Sequence, residues 1–327
     1  MSTERPLVTF AVFAYNQARF VREAVAAALA QTYSPLQVIL SDDCSKDETF
    51  AIMEAMAAEY RGPHRVVLNR NPKNLNIGGH INRVMELVDG ELVVPAAADD
   101  ISEPHRTEVV VERWLASGKT AMSLHSATRH IDEEGRDLGV KPFPNPEKLD
   151  DREAVARHAL SVLGASHCWA REIFSRFGPL LPEVVNEDVA LPFRSALIGH
   201  IAYIDEPLVR YRVNQSIWHG NRGEAKDHHE YRKRLGFLYR LTRFLNAQAY
   251  LDALRFGDPR IERLVLERIA EHDLYRELCE APLPRLDTLG RGLAGRTDPL
   301  KLTMTNLKLW VPGFNRGYIK VRRAFGS

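Results

Sequence analysis

The chain has 327 residues, of which 45% are hydrophobic and 27% charged, the balance of an ordinary globular protein large enough for one α/β domain with an appendage. Its 44 Lys and Arg nearly cancel its 43 Asp and Glu, so no overall positive field marks it for nucleic acid. Cys44, Cys168 and Cys279 are odd in number and far apart, which argues against a disulfide framework or a structural zinc site and fits a reducing cytosol.

In chain order, Leu7 to Ala14 reads as a buried strand and Ala18 to Gln31 as an alanine-rich helix. Gln37 to Asp42 is a second strand. Asp47 to Tyr60 is a helix whose start, Ser45-Lys46-Asp47-Glu48, has the spacing of a capping box, so Ser45 and Glu48 are assigned to capping. Arg65 to Asn69 is a third strand, Gly79 to Val88 a helix and Glu91 to Ala96 a fourth strand. Strands separated by helices predict a mostly parallel sheet with helices on both faces. Polar clusters follow the strands at Tyr15-Asn16, Asp42-Asp43 and Asp99-Asp100, and ligands of open α/β sheets bind beyond the carboxyl ends of strands.

From Thr120 the pattern loosens. Pro142, Pro144 and Pro146 mark an irregular loop, followed by a helix from Arg152 to Leu163, a strand from Gly164 to Ala170 and a helix from Glu187 to Ile198. Two β segments, Ile201 to Ile204 and Leu208 to Val213, come next. Tyr231 to Asn246 and Pro259 to Cys279 are charged helical stretches, and a boundary near Gly223 divides the chain into residues 1–222 and 223–327. Nothing approaches the ~20 apolar residues of a membrane span. Residues 299–327 carry six bases and no acid, with Trp310, Phe314 and Tyr318 among them. That composition suits either a solvated basic tail or attachment to an anionic membrane surface, which would leave the protein cytoplasmic and peripheral at the inner face.

Three acidic pairs are the chemical candidates. Adjacent carboxylates at a strand end point different ways, so one of Asp99 and Asp100 can hold Mg2+ or Mn2+ against phosphate oxygens while the other binds substrate; a solvated turn before Pro104 has the same pattern. In Asp42-Asp43 a carboxylate can accept a base N3–H, or simply complement the following helix. In Glu187-Asp188 one can act as a general base, or supply charge at a helix start.

Together and in order, these residues resemble the family-two inverting glycosyltransferases of the GT-A fold. The likeness is carried by Val8 to Asn16, Ala30-Gln31-Thr32-Tyr33, Ser41 to Thr49, Asn74 to Asn82, Asp89-Gly90-Glu91, Asp99-Asp100, Asn186-Glu187-Asp188 and Leu208 to Arg212. It implies a GT-A domain over residues 1–222 with a helical C-terminal region. It implies that Phe13 to Tyr15 wall the nucleotide base, that Asp43 accepts its N3–H, and that Asn74 belongs to the nucleotide-sugar site. Asp99 would touch the ribose or donor sugar, and Asp100 would hold Mn2+ or Mg2+ at the pyrophosphate. Asp188 would be the catalytic base, with Glu187 and Trp218 on the acceptor side and His219 completing the metal shell.

Two positions depart from the family pattern. Ala97 stands where a first acid is expected, and Asn76 where a glycine is expected in the loop under the base. The expected reaction is transfer of a sugar from a UDP- or dTDP-linked donor to the hydroxyl of a saccharide or lipid-linked acceptor, in bacterial surface polysaccharide or glycoconjugate synthesis. A sugar nucleotidyltransferase should carry a glycine-rich basic loop after the first strand, where this chain has Tyr15-Asn16-Gln17-Ala18-Arg19. A nicotinamide dehydrogenase lacks its GxGxxG here. A non-catalytic carbohydrate or scaffold protein on a decayed transferase fold is the alternative that Ala97 keeps open.

Overall fold

The computed structural model describes residues 5–149, 151–213 and 228–280, with side chains from 236 to 277 in the last stretch. Its first half is the expected alternation. Strands β1 (Val8–Ala14), β2 (Leu36–Asp42), β3 (Arg65–Arg70) and β4 (Leu92–Ala97) are parallel, with β1 between β2 and β4. Between them lie helices α1 (Val21–Leu29), α2 (Thr49–Glu59) and α3 (Asn76–Met85).

Beyond β4 the sheet turns mixed. A short β5 (Ile101–Ser102) leads into α4 (Arg106–Ala116), then β6 (Ala121–Ile131) with β7 (Asp137–Lys141) folded back on it. After α5 (Arg152–His158) come β8 (Cys168–Ala170), α6 (Glu172–Phe177), α7 (Glu187–Ile198) and β9 (His200–Arg212). The order across the sheet is β3-β2-β1-β4-β8-β6-β9-β5. Here β8 is antiparallel to both of its neighbours and β6 is parallel to β9.

Alternation along the strands builds two cores, one on each face. Phe10, Val12, Val38 and Leu40 meet Val25, Met53 and Trp114 of α1, α2 and α4. Ala11, Ile39 and Val93 meet Ile81, Ile173 and Leu191 of α3, α6 and α7. A third cluster is shared by α5, α7 and the two C-terminal helices, α8 (His228–Phe256) and α9 (Pro259–Glu280), through Val155, Phe193, Leu197, Ala253 and Val265. The side chains of Arg194 on α7 and Asp252 on α8 are fully buried and joined by two hydrogen bonds, 2.8 and 3.1 Å.

Several local expectations are corrected. Ser45 does not cap α2: its hydroxyl accepts from the Asn16 amide at 2.8 Å and donates to Asp42, while Glu48 occupies the cap position without a side-chain bond. The helix expected from Arg152 to Leu163 stops at His158 because Ala159 turns left-handed, after which the Val162 amide bonds the Asp188 carbonyl at 3.0 Å. Gly164–Ser166 is a 3-10 turn, so the strand there begins only at Cys168. The two β segments after Ile201 are one strand, β9. Its pairing with β6 slips between Ser126↔Ile204 and Ala127↔Pro207, a bulge that accommodates a proline without an amide hydrogen. The proposed boundary near Gly223 and the basic tail at 299–327 lie outside the described residues.

Candidate active site

The register of the parallel strands gathers the polar clusters. Phe13 pairs with Ser41 on one side and Ala97 on the other, and Ala14 pairs with Asp42, so the chain leaves β1, β2 and β4 at one edge. The loops after β1 and β2 are fastened together by side chains. Besides Ser45, Asp47 accepts from the Ala18 amide at 3.1 Å, Thr49 from the Gln17 amide at 2.7 Å, and Asn16 from the Lys46 amide at 2.9 Å. Tyr15 is left exposed and Phe13 half-buried beside them.

The first pair divides its work. Asp42 is wholly buried and receives both the amide and the hydroxyl of Ser45, with the Arg70 guanidinium 3.6 Å away. Asp43 gives one oxygen, Oδ1, to the Asn71 side chain at 2.8 Å and to the Leu75 amide at 2.9 Å. Its second oxygen accepts no hydrogen bond from the described residues. Asn76 has φ +59°, the left-handed conformation that glycine adopts freely and asparagine tolerates, so the missing glycine does not disturb the Leu75 contact. Asn74 is exposed, and its side-chain oxygen takes the Asn76 amide at 3.0 Å, a local turn contact.

His80, on the buried face of α3, was not a sequence candidate. Its Nε2 lies 2.7 Å from the Ser41 hydroxyl and its ring stands edge-on to Phe13, 5.1 Å between centroids. Burial lowers its pKa, opposed by the negative charges of Asp43 and Asp42. It stands within the Asn74–Asn82 stretch that carries the family likeness, but nothing in that stretch singles out the ring.

The second pair differs in burial. Asp100, expected to hold the metal, is 3% exposed, and its Oδ1 accepts the Arg212 amide at 2.8 Å. Burial, and then the charge of Asp99, push its pKa well above the usual carboxylate range. Asp99 is the half-buried member. The reason is the short β5, which pairs with β9 immediately after Asp100 and turns that side chain beneath the strand. Arg212 organises this corner. Its guanidinium donates to the carbonyls of Asp99 (2.9 Å), Asp132 (3.1 Å) and Glu133 (2.8 Å) and to Glu23 (2.9 Å), over the ring of Phe20. Arg212 stood in a recognised motif, but its role depends on Glu23 and Asp132, which no spacing links to it.

The third pair starts α7, 12 residues long as expected. Glu187 and Asp188 are half-buried. Their surroundings are deep enough that burial, together with the charge of Asp188, pushes Glu187 up to about 8, while burial pushes Asp188 up to about 6. Gly164 faces this pair: a Cβ there would lie 3.0 Å from Glu187 Oε1. Contacts tie the segment leading into α7, and the turn at Gly164 that faces its acids, to α3 and α4. The Gly78 amide of α3, just past Leu75, bonds the Val184 carbonyl at 3.0 Å, and a Cβ on Gly78 would meet Leu181 O at 2.7 Å. On the other side Arg106, whose charge is felt by Asp100, donates to the Ala165 carbonyl next to Gly164. Trp218 and His219, expected on the acceptor side and at the metal, lie outside the described residues.

Among the described residues no three of His, Cys, Asp and Glu converge as a metal cage. The half-buried Asp99 fits a divalent ion differently, as one carboxylate with the remaining positions left to phosphate oxygens and water.

A mostly parallel sheet that turns mixed beyond β4, with helices on both faces and a helical C-terminal region, is the GT-A architecture. The model of glycosyl transferase family 2 matches residues 9–174, just over half of the chain, and the protein belongs to that family. An uncharacterised glycosyltransferase of Nostoc is 23% identical over 68% of this chain and 69% of its own length. Chondroitin synthase of Escherichia coli is 31% identical over 40% of this chain but only 18% of its own length. Two solved structures share the fold. Staphylococcus aureus TarS with UDP-GlcNAc has a TM-score of 0.55 at 13% identity, covering 92% of this chain and 79% of TarS. A Pyrobaculum calidifontis mannosyltransferase with GDP-Man and Mn2+ has 0.56 at 19%, covering 96% and 84%.

Proposed function

We propose that this family 2 glycosyltransferase moves a sugar in a single displacement, with Asp188 as the base. The observation that carries the reading is the carboxylate at the start of α7, raised to about 6, opposite strand ends built for a nucleotide diphosphate. A base with a pKa near ambient pH is largely deprotonated, yet holds a proton firmly enough to pull one from a hydroxyl in the transition state. Asp188 removes the acceptor hydroxyl proton as that oxygen attacks the anomeric carbon from the side opposite the nucleotide, giving inversion. Glu187, still protonated at neutral pH, donates a hydrogen bond on the acceptor side.

Asp43, held by Asn71 and Leu75, offers its second oxygen to the N3–H of a uracil or thymine ring walled by Phe13 and Tyr15. Asp99 takes the metal role expected of Asp100, since it is the more exposed member of its pair, and Asp100 accepts the Arg212 amide of β9. A divalent ion, when bound, supplies charge neutralisation for the departing diphosphate. The nucleotide sugars held by the two structural relatives support a nucleoside-diphosphate donor. The chondroitin synthase match, and one to a succinoglycan biosynthesis protein of Rhizobium meliloti, favour a saccharide acceptor. The test is thermal shift with a panel of nucleotide sugars, with and without Mn2+, followed by assay of nucleoside diphosphate release. Donor binding without turnover on any saccharide acceptor or water would favour the non-catalytic alternative that Ala97 keeps open.

A further inference from the structure

We propose that His80 is a positioning residue for the donor nucleobase, holding Phe13 by ring contact and Asp43 through a buried chain of three side chains. The inference rests on the reading of Phe13 and Asp43 as base contacts. The sheet sets the chain up. Phe13, Ser41 and Asn69 stand opposite one another in the register of β1, β2 and β3, so their side chains share one face. Helix α3 covers that face, with Gly78, His80, Ile81 and Val84 buried.

The chain starts at His80 Nε2, 2.7 Å from the Ser41 hydroxyl. Asn69 gives one amide hydrogen to that hydroxyl and the other to Asn71 Oδ1, each at 3.0 Å, and Asn71 donates to Asp43 Oδ1 at 2.8 Å. Ser41, Asn69, Asn71 and Asp43 are all buried. Arg83 donates to Asn69 Oδ1 at 3.4 Å, which fixes the end of that amide facing Ser41. With Asn69 donating to it, the Ser41 hydroxyl has His80 Nε2 as its acceptor among the described residues. The ring is then neutral with its proton on Nδ1, the charge state that burial favours. Helix α3 thus reaches Asp43 Oδ1 twice, directly through the Leu75 amide at 2.9 Å and through His80, and Oδ2 is what remains for a base. His125 is the internal control. It too is buried, with Phe143 and Tyr203 beside its ring at 4.6 and 5.1 Å, but neither of its nitrogens meets a hydrogen-bond partner among the described residues. That histidine packs, whereas His80 joins two groups of one site.

The experiment is titration calorimetry of the full chain with UDP, dTDP and CDP in the presence of Mn2+, beside a thermal melt. Uracil and thymine carry an N3–H and cytosine does not, so wild-type protein should bind UDP or dTDP at least about tenfold more tightly than CDP. His80→Phe keeps a ring against Phe13 and removes the acceptor for Ser41. It should lose about tenfold in affinity for the preferred nucleotide and little for CDP. Ser41→Ala cuts the same chain with the imidazole in place and should do the same, and it decides alone if His80→Phe does not fold. His80→Gln, whose side-chain oxygen can take the Ser41 proton, should restore the preference while binding both nucleotides more weakly. Wild-type selectivity in His80→Phe or Ser41→Ala overturns the inference, since a packing role moves the melting midpoint and leaves the preference. A His80→Gln protein as unselective as His80→Phe overturns it as well. If wild-type protein lacks the preference, or Asp43→Asn keeps it, the reading of Asp43 fails and the inference falls with it.

Discussion

The acidic pairs at the strand ends and the pair at the start of α7 are made of the same groups and are solved differently. In Asp42-Asp43 both carboxylates are buried and tied, Asp42 to Ser45 beside Arg70 and Asp43 to Asn71 and Leu75, whereas in Asp99-Asp100 only Asp100 is buried, under the Arg212 amide, and Asp99 is half-buried. Glu187 and Asp188 have no described cation within ion-pair distance, and burial lifts both above their usual range, helped at Glu187 by the charge of Asp188. The difference fits the proposed roles, since binding groups gain from being held in place before the ligand arrives, whereas a base has to keep an appetite for a proton.

The largest effect that would sharpen this contrast is on Asp188. Asp188→Asn should cut turnover by about 10²–10⁴-fold and leave donor affinity nearly intact, which titration calorimetry beside a transfer assay would read. Near-normal transfer by the variant would remove Asp188 as the base. Next come the members of the second pair. Asp99→Asn should weaken Mn2+-dependent donor binding by roughly 10²-fold without moving the melting midpoint, while Asp100→Ala should lower the midpoint. The reverse outcome would return the metal to Asp100. Asp43→Asn should weaken UDP- or dTDP-sugar binding by about 1–3 kcal/mol, and calorimetry with the fold intact would detect it.

The smallest expected effect concerns pH. Turnover should have an acid limb near pH 6, where Asp188 takes up a proton. Stability should move the other way. A carboxyl whose folded pKa is raised stabilises the fold fully below its unfolded pKa, and that contribution is lost as pH rises from about 4 towards about 8. Glu187→Gln should therefore raise the melting midpoint at pH 8 and leave it unchanged at pH 4 in a fluorimetric melt. An equal shift at both pH values would show that ionisation of Glu187 is not the cause.

The first four strands and their helices could be read from sequence to within three residues at nearly every boundary, because each buries a periodic face against a neighbour close in the chain. Glu187–Ile198 was legible to the residue. What escaped depended on distant partners. Ser45 has the spacing of a cap, but Asn16 and Asp42 claim it. Asp99 and Asp100 are indistinguishable as letters, and the antiparallel pairing of β5 with β9 decides which of them is buried. Glu23 lies in no motif and His80 lies in one without being marked by it, since their importance comes from Arg212 in one case and Phe13 and Ser41 in the other.

The Arg194–Asp252 pair has a consequence for dissection of the enzyme. A fragment ending near residue 222 would keep the guanidinium in the middle of α7 but lose its counter-ion, and breaking a buried pair from one side costs about 3–5 kcal/mol. That loss falls on the helix whose first turn carries Glu187 and Asp188. A shortened enzyme or a chimaera with a borrowed C-terminal half would then fail through the helix that carries the proposed base, unless position 194 were made apolar in the same step.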